Sequence, residues 1–164
     1  MGWCQGRAIV GPWVAGMTVA DALSGVRRLG LDTAPIIYFV EGNADFHAVC
    51  VPFFAAIDDG QIEAFTSTIA MTETLVHPLR ANDIARAAAF RDLLTTGPGI
   101  STIPLSATIA ERAAQLRADH NLRTPDAIQI ATALATGCDA FLTNDVKLKR
   151  ITQLRVIVVD DLIA

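Results

Sequence analysis

The stretch that most constrains the fold of this chain is Ala140-Phe141-Leu142-Thr143-Asn144-Asp145, a short apolar run that stops on polar residues and ends on an acid. A brief apolar run bounded by turn signals predicts a buried strand. In an open parallel sheet, ligands bind in the crevice beyond the carboxyl ends of the strands. We therefore expect Asp145 to lie in a crevice at the edge of a sheet and not on open surface.

Three further acids occupy comparable positions in the sequence. Asp32 follows a short apolar run, Glu73 lies just after the strand-like run 65–69, and Asp126 lies at the start of a predicted helix. Parallel strands bring their carboxyl ends to one edge of a sheet. We expect these three acids and Asp145 to meet there and to hold a divalent metal ion.

The order of the predicted elements indicates the fold class. Strand-like runs lie at 29–31, 65–69, 100–105, 140–143 and 155–159, and they alternate with helix-like segments. This alternation predicts βαβ units and a parallel sheet. The runs Phe141-Leu142 and Val156-Ile157-Val158-Val159 are apolar throughout, which is typical of strands buried on both faces. The expected architecture is an α/β protein, a three-layer α/β/α sandwich with a central parallel sheet.

Local signals predict where several helices begin and end. Pro78 is expected to end the short helix that follows the second strand, and Asn82 to cap the next helix. Ser106 is expected to cap another helix. Thr124 is the expected N-cap of a helix running to residue 135, with Pro125 at its first helical position.

Length and composition favour one domain. The 164 residues are 52% hydrophobic and only 18% charged, which suits a well-buried core and argues against disorder. Residues 1–28 are broken by glycines, so we interpret them as an N-terminal extension, and Met17 as a candidate internal start. The predicted domain is 29–164.

Cysteine content and hydropathy predict where in the cell the protein is found. The three cysteines are far apart and odd in number, which indicates free thiols in a reducing cytoplasm. No Cys-x-x-Cys pair is present, so a structural zinc site is not expected. No apolar run reaches the roughly 18–20 residues that a membrane span needs, and the first thirty residues lack the apolar centre of a signal peptide.

The net charge of −4 argues against a protein that coats nucleic acid by bulk electrostatics. It does not exclude an enzyme acting on nucleic acid, because a bound metal ion inverts the field of an acidic pocket. Crowded carboxylates repel one another unless they are protonated or neutralised by cations. Hard oxygen ligands select magnesium or manganese over zinc. Either ion can lower the pKa of a water and neutralise charge on a phosphodiester during in-line attack.

Four segments in the expected order resemble the acidic motifs of PIN domains. Residues 31–42 resemble the opening of such a domain, and residues 66–75 resemble its second acidic segment. Residues 124–133, followed by 141–145, resemble the third and fourth. The resemblance covers 30–164, although Asp32 stands further from the N-terminus than is usual in the family.

The resemblance implies a metal-dependent ribonuclease, a VapC-type toxin of a bacterial toxin–antitoxin pair. Such a protein would cut RNA with Mg²⁺ or Mn²⁺, be inhibited by a cognate antitoxin and form a homodimer. The free thiols and the lack of a long apolar run separately predict a cytoplasmic protein without a membrane span. The resemblance implies four catalytic and metal-binding residues: Asp32, Glu73, Asp126 and Asp145. It implies Thr143 and Asn144 as supporting groups.

Simpler interpretations stand beside this one. Asp126 is also explained by the preference for acids in the first turn of a helix, and Asp145 by capping of a short helix at 146–150. Basic side chains near the predicted pocket are candidates for RNA phosphate contacts, or are only solvated charges: Arg80, Lys147, Lys149 and Arg150.

Two other functions remain open at the level of sequence. One is a catalytically silent interaction module with the same fold. The other is a metal-dependent phosphohydrolase or phospho-accepting domain, which would need a phosphate-binding lysine or glycine loop at a strand end, and none is well placed.

Overall fold

A five-stranded sheet forms the centre of the computed structural model, which describes residues 16–163. The hydrogen-bonded order is β3-β2-β1-β4-β5, and every neighbouring pair is parallel. The strand bounds are β1 (Arg28–Leu31), β2 (Glu63–Ser67), β3 (Ile100–Ile103), β4 (Ala140–Thr143) and β5 (Arg155–Val158).

Helices cover both faces of the sheet, and buried side chains of the helices and strands form two apolar clusters. Phe53 and Phe90 belong to one cluster, and Ile130 and Phe141 belong to the other. The predicted three-layer α/β/α sandwich is therefore confirmed. The helices are α1 (Val19–Leu23), α2 (Thr33–Glu41), α3 (His47–Asp58), α4 (Ile69–Arg80), α5 (Ile84–Thr96), α6 (Ala107–His120) and α7 (Thr124–Ala135), with 3-10 helices at Val146–Arg150 and Val159–Leu162.

The chain reverses its direction of winding at β1. It passes from β1 to β2 and β3 on one side, and returns to add β4 and β5 on the other. Leu31 pairs with Leu142 at the carboxyl ends of β1 and β4. The backbone N–H of Asp32 extends the ladder by donating to the Leu142 carbonyl at 2.9 Å. Such a switch point is where open parallel sheets bind ligands.

Gly30 allows α7 to pack directly on the middle of the sheet. A Cβ at this position would lie 2.7 Å from the Cβ of Ala133 on α7 and 2.7 Å from Cδ2 of Phe141 on β4. Contacts that short do not occur between well-packed carbon atoms, so only glycine fits between the helix and the neighbouring strand. The close approach of α7 to β1 therefore depends on the absence of a side chain at Gly30.

Several predicted boundaries are wrong, each for a local reason. Pro78 does not end α4 but lies buried within its last turn, where the missing N–H costs one backbone hydrogen bond at most. Asn82 does not cap α5; it adopts a left-handed conformation (φ 53°), which asparagine tolerates, and Asp83 provides the cap by accepting from the Arg86 N–H at 3.0 Å. Ser106 caps α6 as predicted.

The start of α7 and the N-terminal region also differ from the predictions. Thr124 is the first residue of α7 and not its N-cap, a position that Arg123 occupies without a side-chain hydrogen bond. The domain boundary at residue 29 stays a prediction, and residues 1–15 lie outside the described part of the chain. Within the predicted extension, α1 begins with a capping box between Thr18 and Asp21, and Ala22 is fully buried.

We predict that Gly30→Ala lowers the free energy of unfolding by about 2 kcal/mol or more, because overpacking a close-packed site forces a helix or a strand to move. The measurement is urea unfolding followed by circular dichroism. Ser101→Ala, an exposed position on β3, is the matched control and should change stability by less than about 0.5 kcal/mol. Equal stability of the two variants would contradict the packing argument.

Candidate active site

All four predicted acids line one pocket of about 450 Å³ at the carboxyl edge of the sheet. Asp32 directly follows β1, and Asp145 follows β4. Asp126 lies in the first turn of α7, and Glu73 lies in the second turn of α4, the helix that begins just after β2. The convergence expected from the sequence is therefore found in the structure, whereas the chemical roles of the four residues stay predictions.

Asp32 is the most firmly held of the four carboxylates. Its Oδ2 accepts a hydrogen bond from Oγ1 of Thr143 at 2.6 Å, and its Oδ1 accepts from the backbone N–H of Thr33 at 2.8 Å. Thr143 is fully buried at the end of β4. The ends of the two central strands are thus joined by a side-chain contact as well as by the backbone ladder.

The environment of Asp32 resists its ionisation. Burial raises its pKa to about 6 from the ordinary value of 3.8, and the negative charges of Asp126 and Glu73 push in the same direction. The hydrogen bonds from Thr143 and Thr33 oppose this rise but do not cancel it. A cation placed among the three acids would remove this penalty, because it favours the charged form.

Glu73 is oriented by a relay of two polar side chains. The hydroxyl of Thr33 donates a short hydrogen bond to Oε2 of Glu73. The same Thr33 oxygen accepts from the Nε2 amide of Gln129 at 3.3 Å. Because Gln129 supplies the donor, the single hydroxyl proton of Thr33 is directed to Glu73.

Gln129 also ties α7 to the sheet below the pocket. It is only 2% exposed, and its Oε1 accepts from the backbone N–H of Ser67 at 3.1 Å and from the hydroxyl of Thr66 at 3.3 Å. Gln129 was not among the residues predicted for the site. The available signal was one amide in the otherwise apolar run Ala127–Ala131, since a polar group on a buried helix face must find partners.

Arg123 is a second site residue that the sequence analysis did not single out. Its guanidinium forms a bidentate pair with Asp126, with Nε 2.9 Å from Oδ2 and the second donor, NH2, 3.2 Å from Oδ1. The Arg123 side chain is 79% exposed, whereas that of Asp126 is 13% exposed. The carboxylate is therefore fixed by the pocket, and the arginine reaches it from solvent.

Asp145 and Asn144 link the pocket to neighbouring elements. Oδ1 of Asp145 accepts from the backbone N–H of Lys147 at 2.9 Å, so the predicted cap of the Val146–Arg150 helix is present. Asn144 donates to the hydroxyl of Tyr38 at 3.2 Å and accepts from the N–H of Asp160 at 2.9 Å. Asp145 therefore both lines the pocket and caps a helix, so the functional and the simpler interpretation do not exclude each other.

The donor set suits a hard divalent cation in some respects and not in others. Four carboxylates share the pocket, and one of them has a raised pKa. Magnesium and manganese prefer such oxygen donors, and magnesium keeps several waters that span wide sites. Over residues 16–163, however, no three acidic, histidine or cysteine side chains are already close enough to form a metal cluster. The residues fit an ion that is bound partly through waters, with Arg123 competing for the carboxylate of Asp126.

Comparisons with known proteins place this geometry in context. A model of the PIN domain family matches residues 30–154, most of the chain. No match was found among curated proteins. In the described part of the chain, none of the helices has the length and apolar character needed to cross a membrane.

Solved structures with the same fold include toxin–antitoxin proteins. VapBC2 from Rickettsia felis, bound to a promoter DNA fragment, is 17% identical with a TM-score of 0.64, covering 80% of this chain and 98% of its own. A toxin–antitoxin complex from Klebsiella pneumoniae is 22% identical with a TM-score of 0.61, covering 80% and 97%. VapC20 from Mycobacterium tuberculosis, described as a toxin that cleaves the sarcin–ricin loop, is 16% identical with a TM-score of 0.61, covering 78% and 98%.

We predict that Gln129→Met lowers the free energy of unfolding by about 1–3 kcal/mol, because it leaves the Ser67 N–H without its buried acceptor. The hydroxyls of Thr33 and Thr66 keep their bonds to Glu73 and to the Leu31 carbonyl. Urea unfolding measures the change. The control is Gln115→Met on the exposed side of α6, where the expected loss is less than about 0.5 kcal/mol. Equal losses for the two substitutions would show that the Gln129 contacts contribute no net stability.

The raised pKa of Asp32 predicts a pH-dependent stability of the metal-free protein. Because the folded pKa of about 6 exceeds the ordinary value of 3.8, the folded state binds the proton more tightly. This stabilisation is complete below pH 3.8 and is lost as the pH rises through 6. Asp32→Asn removes the titration, so the stability difference between wild type and variant should change by about 1–3 kcal/mol across this range.

The test of this pH dependence is urea unfolding of both proteins in EDTA at a series of pH values. Asp59→Asn, which removes an exposed acid at the end of α3, is the control and should leave the wild-type pH profile in place. Parallel profiles for wild type and Asp32→Asn would rule out the proposed linkage.

Proposed function

The chain belongs to the PIN domain family, and we propose that it is a metal-dependent endoribonuclease that acts as the toxin of a type II toxin–antitoxin pair. The observation that carries the proposal is the meeting of Asp32, Glu73, Asp126 and Asp145 around one pocket at the switch point of the sheet. These residues come from four separate segments of the chain, so a purely local structural role does not explain why they meet.

The proposed cofactor is Mg²⁺ or Mn²⁺, held by Asp32, Asp126 and Asp145, with Glu73 binding it directly or through water. When bound, the ion lowers the pKa of a water and neutralises charge on the oxygens of the scissile phosphodiester. Side-chain oxygens are the only protein donors that this assignment requires. The raised pKa of Asp32 supports it, because a buried acid among other acids favours a cation.

The remaining side chains hold the proposed site in place. Thr143 and the Thr33 N–H fix both oxygens of Asp32, and Thr33 directs its hydroxyl at Glu73. Glu73 is therefore positioned to accept a proton from an attacking water. A cation at Asp126 would compete with Arg123 for that carboxylate, and this competition would free the guanidinium to contact a phosphate.

RNA is the proposed substrate, with hydrolysis of its phosphodiester bonds. The family membership and the fold shared with VapC20, whose name describes cleavage of the sarcin–ricin loop, both support this choice. We place the protein in the cytoplasm, in keeping with the unbridged thiols of Cys50 and Cys138. Cys4 lies outside the described residues.

The proposed partners are a cognate antitoxin and a second copy of the chain. The similar structures from Rickettsia felis and Klebsiella pneumoniae are themselves toxin–antitoxin assemblies. Exposed apolar side chains at the turn between α4 and α5 offer surface for such contacts, with Leu79 55% and Ile84 81% exposed. Apolar side chains grouped on a surface are typical of protein interfaces.

We predict that Asp32→Asn or Asp126→Asn leaves the fold intact and lowers the rate of RNA cleavage by more than about a hundredfold, since even residues behind a metal ligand typically contribute 10–100-fold. The measurements are cleavage of single-stranded RNA with Mg²⁺, Mn²⁺ or EDTA, and circular dichroism of each variant. Asp59→Asn is the control and should cut RNA at the native rate.

Thermal unfolding with Mn²⁺ separates the nuclease from a catalytically silent module. The nuclease proposal expects Mn²⁺ to raise the unfolding temperature of the wild type and to do so less for Asp126→Asn. Native cleavage rates in either acid variant would refute the assignment of the site. Absence of both cleavage and stabilisation by Mn²⁺ would favour the silent module.

A further inference from the structure

A second depression, of about 520 Å³, adjoins the acid pocket and carries basic side chains. Arg123, Lys147 and Arg150 line it, and it shares Arg123, Asp126 and Asp145 with the acid pocket. We call this depression the basic groove. Because the two spaces share three lining residues, they lie side by side at the same edge of the protein.

Two of the three cations in the basic groove are available to bind an anion. Over residues 16–163, no carboxylate lies within ion-pair distance of Lys147 or Arg150. Arg150 donates only a long hydrogen bond, 3.4 Å, to the carbonyl of Asn121, which lies along the groove. Lys149 differs from both, because it forms an ion pair with Asp161. On the Val146–Arg150 helix, Lys149 is therefore held in an ion pair, whereas Lys147 and Arg150 are not paired with a carboxylate of the described residues.

The helix that carries these cations is attached to the acid pocket itself. Asp145 accepts from the N–H of Lys147 at 2.9 Å, and its own N–H donates to Oγ1 of Thr143 at 3.0 Å. Leu148 anchors the middle of the helix in the core with 1% exposure. The spacing between the acids and the cations is consequently set by the backbone and not by a loose loop.

The overall charge of the protein makes local cations necessary for a polyanion to bind. The chain carries a net charge of −4, and its acid pocket repels phosphates unless it holds a cation. A nucleic acid strand would therefore be retained by the few places where positive charge is concentrated. Arginine and lysine donors are the groups that bind phosphate oxygens in such places.

We propose that the basic groove binds backbone phosphates of the RNA strand beside the scissile bond through Lys147 and Arg150. This inference rests on the proposed ribonuclease function and adds to it the path by which the strand leaves the acid pocket. The contacts are to phosphates, so they contribute affinity and register along the strand, and they do not select a base.

The test compares two double variants that remove the same charge. Lys147→Ala with Arg150→Ala removes the open cations of the groove. Arg91→Ala with Arg112→Ala removes two exposed arginines on α5 and α6 that line neither depression. The probe is a fluorescent single-stranded RNA of about 12 nucleotides, with 2′-O-methyl sugars and phosphorothioate linkages so that it resists cleavage. Fluorescence anisotropy over a series of salt concentrations gives Kd and its salt dependence.

The groove variant should weaken binding by about tenfold at low salt and reduce the slope of log K against log salt by about 1.4, since each phosphate contact to a single strand contributes about 0.7. Lys147→Ala alone should reduce the slope by about half as much. The control variant should keep the wild-type slope, because charges far from the strand release no counterions from it. Circular dichroism checks that each variant is folded.

The inference is overturned if the groove variant and the control variant have the same Kd and slope. Because the probe is not cut, this result is independent of catalysis. RNA cleavage that survives Asp32→Asn would refute the proposed catalytic site while leaving binding in the groove measurable. Loss of cleavage in Asp32→Asn, together with unchanged binding in the groove variant, would refute the inference about the groove and leave the proposed catalytic site in place.

Discussion

The junction between the two central strands is the constraint on which the site depends. Asp32 bonds to the end of β4 through its backbone N–H, which donates to Leu142, and through its carboxylate, which accepts from Thr143. The first contact fixes the register of β1 against β4, and the second fixes the side chain over the crevice. Both acids that follow central strands, Asp32 and Asp145, therefore keep their places as long as this one strand pair is intact.

Two helices that pack near the same strands, α4 and α7, supply the other two acids of the site. A missing side chain at Gly30 lets α7 lie close to the sheet, and Gln129 then reaches the end of β2 and the hydroxyl of Thr33. Asp126 is carried into the pocket by this packing, one turn before Gln129 on the same helix. The acid that looks most exchangeable in sequence, as a common first-turn residue, is thus positioned by contacts in the buried core.

Sequence reasoning reached the parts of this structure that local signals specify. Apolar runs predicted the strands, and the polar residue after each run predicted which edge of the sheet collects the acids. It could not predict the Gln129 relay, since those contacts depend on how α7 packs against residues far away in the chain. The Arg123–Asp126 pair is local, three residues apart at the start of α7, and its spacing was a signal that the prediction did not use. It was wrong at Pro78 because a local helix-breaking signal is weaker than the burial of that residue in the last turn of α4.

The pairing of Arg123 with Asp126 has a consequence for the protein before it meets any divalent ion. An exposed arginine that reaches in from solvent acts as an internal counter-ion, so the pocket has one fewer uncompensated carboxylate to destabilise the fold. In the metal-dependent reaction that we propose, a cation at Asp126 would compete with this guanidinium for the carboxylate, which would lower the apparent affinity of the cation. The proposed loading of the pocket would then need a higher concentration of free ion than a pocket without Arg123.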